Sequence, residues 1–142
     1  MADVKGLHEK AVRDLERQYR LVMDRSSDGV FIYLDDEHKA CNEKLARLFG
    51  YSKKEWEKLS PFLDNFVAPE SQEDVANSYW GHIKKARVPF SLEFVGVRKD
   101  GSRFQAHVTE FPVAYKRRLF AIAFVHEVDR QPARRRGKEK GR

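Results

Sequence analysis

Between Leu7 and Val22, the residues Leu7, Ala11, Leu15 and Val22 keep one face apolar, with Tyr19 beside them, while Lys, Arg, Glu and Asp fill most of the other positions. That spacing predicts an amphipathic helix over residues 3–24, ended by the Ser26-Ser27-Asp28-Gly29 break. An isolated helix of this length is marginal in water, so its apolar face must dock on something. From Val30 the period shortens to two. Val30–Leu34 predicts a strand, Asp35-Asp36 a turn, and His38–Cys41 a second, short strand.

The stretch Asn42 to Ser52, N-E-K-L-A-R-L-F-G-Y-S, predicts a short helix with a built-in stop. Asn42 is a preferred N-cap, Leu45, Leu48 and Phe49 share one face, and Gly50 stands where a left-handed C-cap residue belongs. Ser52 and Glu55 then form a capping box that opens a helix of one to two turns through Trp56. Pro61 to Val67 reads as irregular or weakly helical, with Phe62, Leu63 and Phe66 pointing inward. Pro69 and Ser71 start a longer helix to about Ala86, carrying Val75, Tyr79 and Ile83 along one face.

Three long strands follow, Phe90–Val97, Ser102–Tyr115 and Leu119–Val128. Between the first two, Arg98-Lys99-Asp100-Gly101-Ser102 is a hairpin turn, and its length sets the register. A two-residue loop would put Phe94 opposite His107. A three-residue loop with Gly101 left-handed puts Phe94 opposite Ala106, Leu92 opposite Val108 and Glu93 opposite His107. A slip of one residue exchanges the two faces, so the apolar pattern selects the three-residue loop. The last strand is apolar on both sides, with Leu119, Ala121, Ala123 and Val125 on one and Phe120, Ile122 and Phe124 on the other. It must be covered on both sides.

A strand pair, a capped helix ending in Gly-Tyr-Ser, more helix and three antiparallel strands, in this order, resemble the PAS sensory domain from Tyr19 to about Val128. The resemblance implies an α+β fold: a five-stranded antiparallel sheet with short helices on one face and the N-terminal amphipathic helix near the other. The chain thus divides into a docking helix (residues 1–24), a PAS-like domain (25–128) and a basic tail (129–142) that has no apolar period and is expected to be disordered.

Composition narrows the setting. The 142 residues, 41% hydrophobic and 35% charged, suffice for one domain with a sizeable core. No apolar run approaches the ~18 residues of a membrane span, and the N-terminus lacks the apolar segment of a secretory signal. Cys41 is the sole cysteine, which rules out an intrachain disulfide and a cysteine metal cluster. A cytoplasmic location is expected. The net charge of +6 resides wholly in Arg130–Arg142, with seven basic residues and one acid, so the rest of the chain is neutral. That tail has no aromatic interleaving, and it is expected to be solvated rather than to bind nucleic acid.

Catalytic signatures are absent: no Gly-rich phosphate loop, G-x-S-x-G, H-E-x-x-H or kinase set. The five histidines stand in different elements without ligand spacing. Neither an enzyme nor a metal site is expected. The resemblance instead implies a small, largely apolar ligand held between the inner sheet face and the helices. The register assigns Leu92, Phe94, Ala106, Val108, Ala121 and Ala123 to that face, opposite Phe66, Val75, Tyr79 and Ile83. Small residues there, with Gly96, could leave room. A core filled by Phe and Trp is the preferred reading, since protein interiors pack closely. Glu110 shares the same face, as a ligand anchor or, the reading preferred, at the strand's wet end two residues before Pro112.

Haem-binding relatives carry a histidine on the long helix, where the match puts Ala76 and where His82 comes almost two turns too late. Light-sensing flavin relatives carry a cysteine on the preceding helix, whereas Ser60–Val67 holds none and Cys41 ends a strand. Haem and covalent flavin are disfavoured. The expected function is a sensory or regulatory module in signal transduction, relaying ligand or partner binding through its N-terminal helix and dimer contacts. The alternative is a protein-association scaffold with a filled core. Phe120, Ile122 and Phe124, with Val95, Val97 and Phe111 beside them, form an outer patch too apolar to face water; the N-terminal helix can cover part of it, and the rest implies a homodimer.

Overall fold

In the computed structural model, which describes residues 4–129, five strands form one antiparallel sheet. They are β1 (Gly29–Asp35), β2 (His38–Cys41), β3 (Phe90–Val97), β4 (Arg103–Tyr115) and β5 (Arg118–Glu127), in the order β2-β1-β5-β4-β3. Six helices accompany them among the described residues: α1 (Val4–Gln18), α2 (Arg20–Arg25), α3 (Glu43–Phe49), α4 (Lys53–Lys58), α5 (Phe62–Phe66) and α6 (Pro69–Ser78). The last continues as a π-helical stretch, Tyr79–Ala86, closed by Arg87 in a left-handed conformation. This is the α+β architecture the sequence predicts. The basic segment Arg130–Arg142 lies outside the described residues. Among those described, no helix is long and apolar enough to cross a membrane.

The strongest local signals form the elements they predict. Asn42 caps α3, Gly50 ends it at φ 86°, and Ser52 and Glu55 form both bonds of a capping box on α4. Asn42 does more than cap. Its Oδ1 accepts from the amides of Val30 and Leu45 at 3.0 and 2.9 Å, and its Nδ2 donates to the Met23 carbonyl at 2.9 Å. One buried amide thus ties α2, β1 and α3 together. The β3–β4 register pairs Phe94 with Ala106, Leu92 with Val108 and Glu93 with His107, with Gly101 left-handed at φ 88°.

The N-terminal helix departs from its prediction. It breaks at Tyr19 (φ −100°, ψ 18°) into α1 and α2. The residues buried on α1 are Ala11, Val12 and Leu15, whereas Leu7 is 52% exposed. The break restarts the helical phase, so on α2 Met23 turns inward and Val22 is 42% exposed. The apolar stripe is shorter than its spacing suggested, because α1 lies over β1 and β2 at one side of the sheet.

Two apolar clusters sandwich the sheet. The inner one includes Phe31, Leu45, Phe49, Trp56, Phe66, Phe94 and Phe104. The outer one joins Ala11, Val12, Leu15 and Met23 to Val30, Ile32, Phe120 and Ile122. β5 is therefore covered on both faces, Ala121, Ala123 and Val125 inward and Phe120 and Ile122 outward. Charges reinforce the docking of α1 at its border with α4. Arg13 bonds Glu57 at 3.2 Å, and Lys53 bonds Glu16 at 3.0 Å and Glu57 at 2.9 Å. Burial opposes charge at Glu16, but hydrogen bonds from Arg13 and Lys53 hold its carboxyl below the usual range. Beyond α1, on β3 and β4, Val95 and Val97 are half-buried and Phe111 is 42% exposed.

Candidate functional site

Strand alternation sends Phe31 and Tyr33 to the inner face of β1, and the same alternation sends Glu110 inward from β4. β5 runs between these strands and presents only Ala121 and Ala123 there. Beside them α5, α6 and the π-helical stretch roof over a space on the inner face. The result is a cleft of about 390 Å³ at the β1 end of the inner face. Its apolar walls include Phe31, Phe62, Leu63, Val75 and Tyr79, and Trp80 stands at its edge. Phe31 stacks on Phe62 and on Tyr33 at centroid distances of 5.5 and 5.4 Å. Tyr79 approaches Tyr33 at 5.8 Å.

The polar groups converge at one end. Tyr33 donates its hydroxyl to Glu110 Oε1 at 2.6 Å. Glu110 is only 7% exposed, and burial pushes its carboxyl up to about 7, with the Tyr33 bond pulling the other way. Burial and the neighbouring Glu110 raise the Tyr33 hydroxyl well above its usual range. Lys39 also borders the cleft. Its Nζ donates to the carbonyls of Asp36 and Leu59, and burial lowers its pKa against the pull of Asp36. At neutral pH the cleft thus offers a carboxyl poised between donor and acceptor, beside aromatic rings.

The residues predicted to line a cavity separate into two groups. Val75, Tyr79 and Glu110 border the cleft. Phe66, Ile83, Phe94, Ala106, Val108, Ala121 and Ala123 are packed into the inner core, with Leu92 at its margin. Gly96 leaves no room: a Cβ there would stand 2.7 Å from the Phe104 ring, which fills the space. The reading of Glu110 as a wet strand end is corrected. Its strand runs on to Tyr115, so the position lies in the interior of β4 and faces Tyr33 rather than solvent. Tyr33, Phe31, Asp36 and Lys39 were missed. Their alternation was legible, but only the strand order places β1 beside β5 and within reach of β4.

For haem and for covalent flavin the residues do not fit. Among the described residues lining the cleft none is a histidine or a cysteine, and Ala76 borders it where a haem ligand would stand. Cys41 is buried elsewhere in the inner core, and burial keeps its thiol protonated.

A family model described as "PAS fold" matches residues 38–125. No curated protein matches the chain. Solved structures similar to it include the Rhodobacter sphaeroides LOV protein, with a TM-score of 0.66 at 16% identity over 84% of this chain and 71% of that one. The PAS domain of an HTR-like protein from Haloarcula marismortui gives 0.62 at 18% identity, over 87% and 99%. A PAS domain from a LuxR-family transcriptional regulator of Burkholderia thailandensis, solved in complex with ethanol, gives 0.63 at 15% identity, over 78% and 96%. At these identities the likeness is one of fold.

Proposed function

The chain belongs to the PAS family, and from that premise we propose that it is a non-enzymatic sensory or regulatory module of cytoplasmic signal transduction. The observation that carries this reading is the buried Glu110–Tyr33 pair at the end of an aromatic cleft. A buried carboxyl is costly unless it is paired or hydrogen-bonded; Glu110 has the one bond from Tyr33 and borders a space large enough for a small molecule that could supply another. The ligand would be a small, mostly apolar molecule with one polar group directed at Glu110. Ligand binding between β1 and α6 would bias the docking of α1, which rests on β1 and β2 from the other side.

A homodimer is part of the proposal. Val95, Val97, Phe111 and Phe124 lie on the outer face beyond the main cover of α1, and a twofold copy would shield them. The deciding experiment is native mass spectrometry of freshly purified protein, followed by thermal shift with a panel of small apolar acids, amines and alcohols. A co-purified molecule, or a shift that Glu110→Gln abolishes, supports the ligand reading. The tight filling of the central core around Phe104 favours a second reading, a scaffold that only joins proteins. No co-purified molecule and no thermal shift would leave that one standing.

A further inference from the structure

Two histidines with no part in the cleft meet an aspartate where α1 crosses the β1–β2 turn. His8 comes from α1, Asp35 ends β1 and His38 opens β2. One ring nitrogen of each histidine and one carboxylate oxygen of Asp35 lie within 4.8 Å of one another. The rings meet edge to face, with centroids 5.2 Å apart. His38 is buried, and its Nδ1 stands 2.8 Å from Asp35 Oδ1. The amides of Glu37 and His38 donate to the same oxygen at 3.0 and 2.8 Å, so the turn is held before anything binds. His8 Nε2 accepts from Arg118 Nε at 3.0 Å. An imidazole nitrogen that accepts from a guanidinium presents a lone pair, which is what a metal ion requires.

The geometry points to a divalent transition-metal site, of the zinc class, held by His8, Asp35 and His38. Two imidazoles and one carboxylate with a fourth position open to water form a donor set suited to Zn²⁺, whereas Ca²⁺ and Mg²⁺ favour oxygen ligands throughout. Tetrahedral bonds of ~2.0–2.2 Å place ligand atoms about 3.3 Å apart, so the three groups must draw together. His8, half-buried on α1, can close the distance by side-chain rotation, while Asp35 and His38 keep the positions that their mutual contact and the turn amides give them. The ion takes the lone pair that Arg118 now engages. Arg118 is exposed at the start of β5, and one cation would replace another there. The turn sequence Asp35-Asp36-Glu37 supplies negative charge around the site. A bound ion would lock α1 to the β1–β2 end of the sheet, adding coordination to an apolar and ionic contact.

The test is isothermal titration of the untagged, full-length protein with zinc chloride, together with thermal unfolding with and without the ion. The expected result is saturable binding of one ion per chain and a raised melting temperature. His8→Ala, at a half-buried side chain of α1, should weaken binding at least tenfold, and His38→Gln should do the same if it folds. Arg118→Gln should tighten binding several-fold by removing the competing cation. His126→Ala is the control, because His126 pairs with His107 on the outer sheet face, with Asp28 3.8 Å away. It should leave the affinity within twofold. No binding up to millimolar zinc overturns the site, as does binding that His8→Ala leaves unchanged. A tenfold loss in His126→Ala would place the ion at the other histidine pair, and binding no tighter in Arg118→Gln would remove the exchange at His8; either result overturns this assignment.

Discussion

Tyr33 on β1 and Glu110 on β4 bond at 2.6 Å although their strands are not neighbours. β5 lies between them, with Ala121 beside Tyr33 and Ala123 beside both Phe31 and Glu110. The bond runs diagonally over two methyl groups. A larger residue at either alanine would obstruct it, so the small side chains of β5 serve the polar end of the cleft as much as the packing.

The Glu110 carboxyl predicts how stability depends on pH. Its pKa is raised in the folded state to about 7 from 4.5, so between those values the folded chain keeps a proton that the unfolded chain has lost. Stability should therefore be lost as pH rises from ~4.5 to ~7, by up to about 3 kcal/mol from this group, and level off above. Glu110→Gln removes that loss. Urea unfolding of both proteins at pH 5 and pH 7.5 should show the variant gaining on the native protein as pH rises; parallel behaviour would refute the protonation of Glu110.

Leu15 and Leu7 test which stripe of α1 is in use. Leu15 is buried in the outer cluster and Leu7 is exposed. Leu15→Ala should cost about 2–5 kcal/mol, and Leu7→Ala less than ~0.5 kcal/mol. Equal losses by thermal denaturation would restore the longer stripe that the spacing suggests.

Gly101 and Gly96 are needed for different reasons. At Gly101 nothing stands within 4 Å of a Cβ, so Gly101→Val should cost roughly 1 kcal/mol or more purely for the left-handed backbone. At Gly96 the backbone is ordinary and Phe104 obstructs, so Gly96→Ala should be rescued at least partly by Phe104→Leu. Absence of that coupling in a double-mutant cycle would count against the packing described.

Purified protein should show no Soret band and, on illumination, no cysteinyl–flavin adduct, because no histidine or cysteine borders the cleft among the described residues. A near-stoichiometric Soret band, or a light-driven adduct, would contradict this.

Phe111 is the most exposed aromatic on the outer sheet face. If that face joins two copies, Phe111→Glu should shift sedimentation from dimer to monomer without lowering the melting temperature of the subunit core. A native protein that sediments as a monomer at high concentration would exclude the dimer.

The chain's own order of residues determined its elements, caps, turn and register. Those depend on neighbours a few positions away: Asn42 with Leu45, Ser52 with Glu55, Gly101 with its hairpin, and the alternation that pairs Phe94 with Ala106. It also determined that β5 needs two covers, because both of its faces are apolar. Tertiary structure alone decided the break at Tyr19, the burial of Met23 in place of Val22, and the filling of Gly96's space by Phe104. It alone brought Glu110 to Tyr33 across 77 positions and His8 to His38 across the α1–sheet junction. A period reports which side of an element is apolar; it carries no information about which strand lies beside which. Sites are made where distant segments meet, and that meeting is set by packing of the whole sheet and its helices rather than by any local pattern.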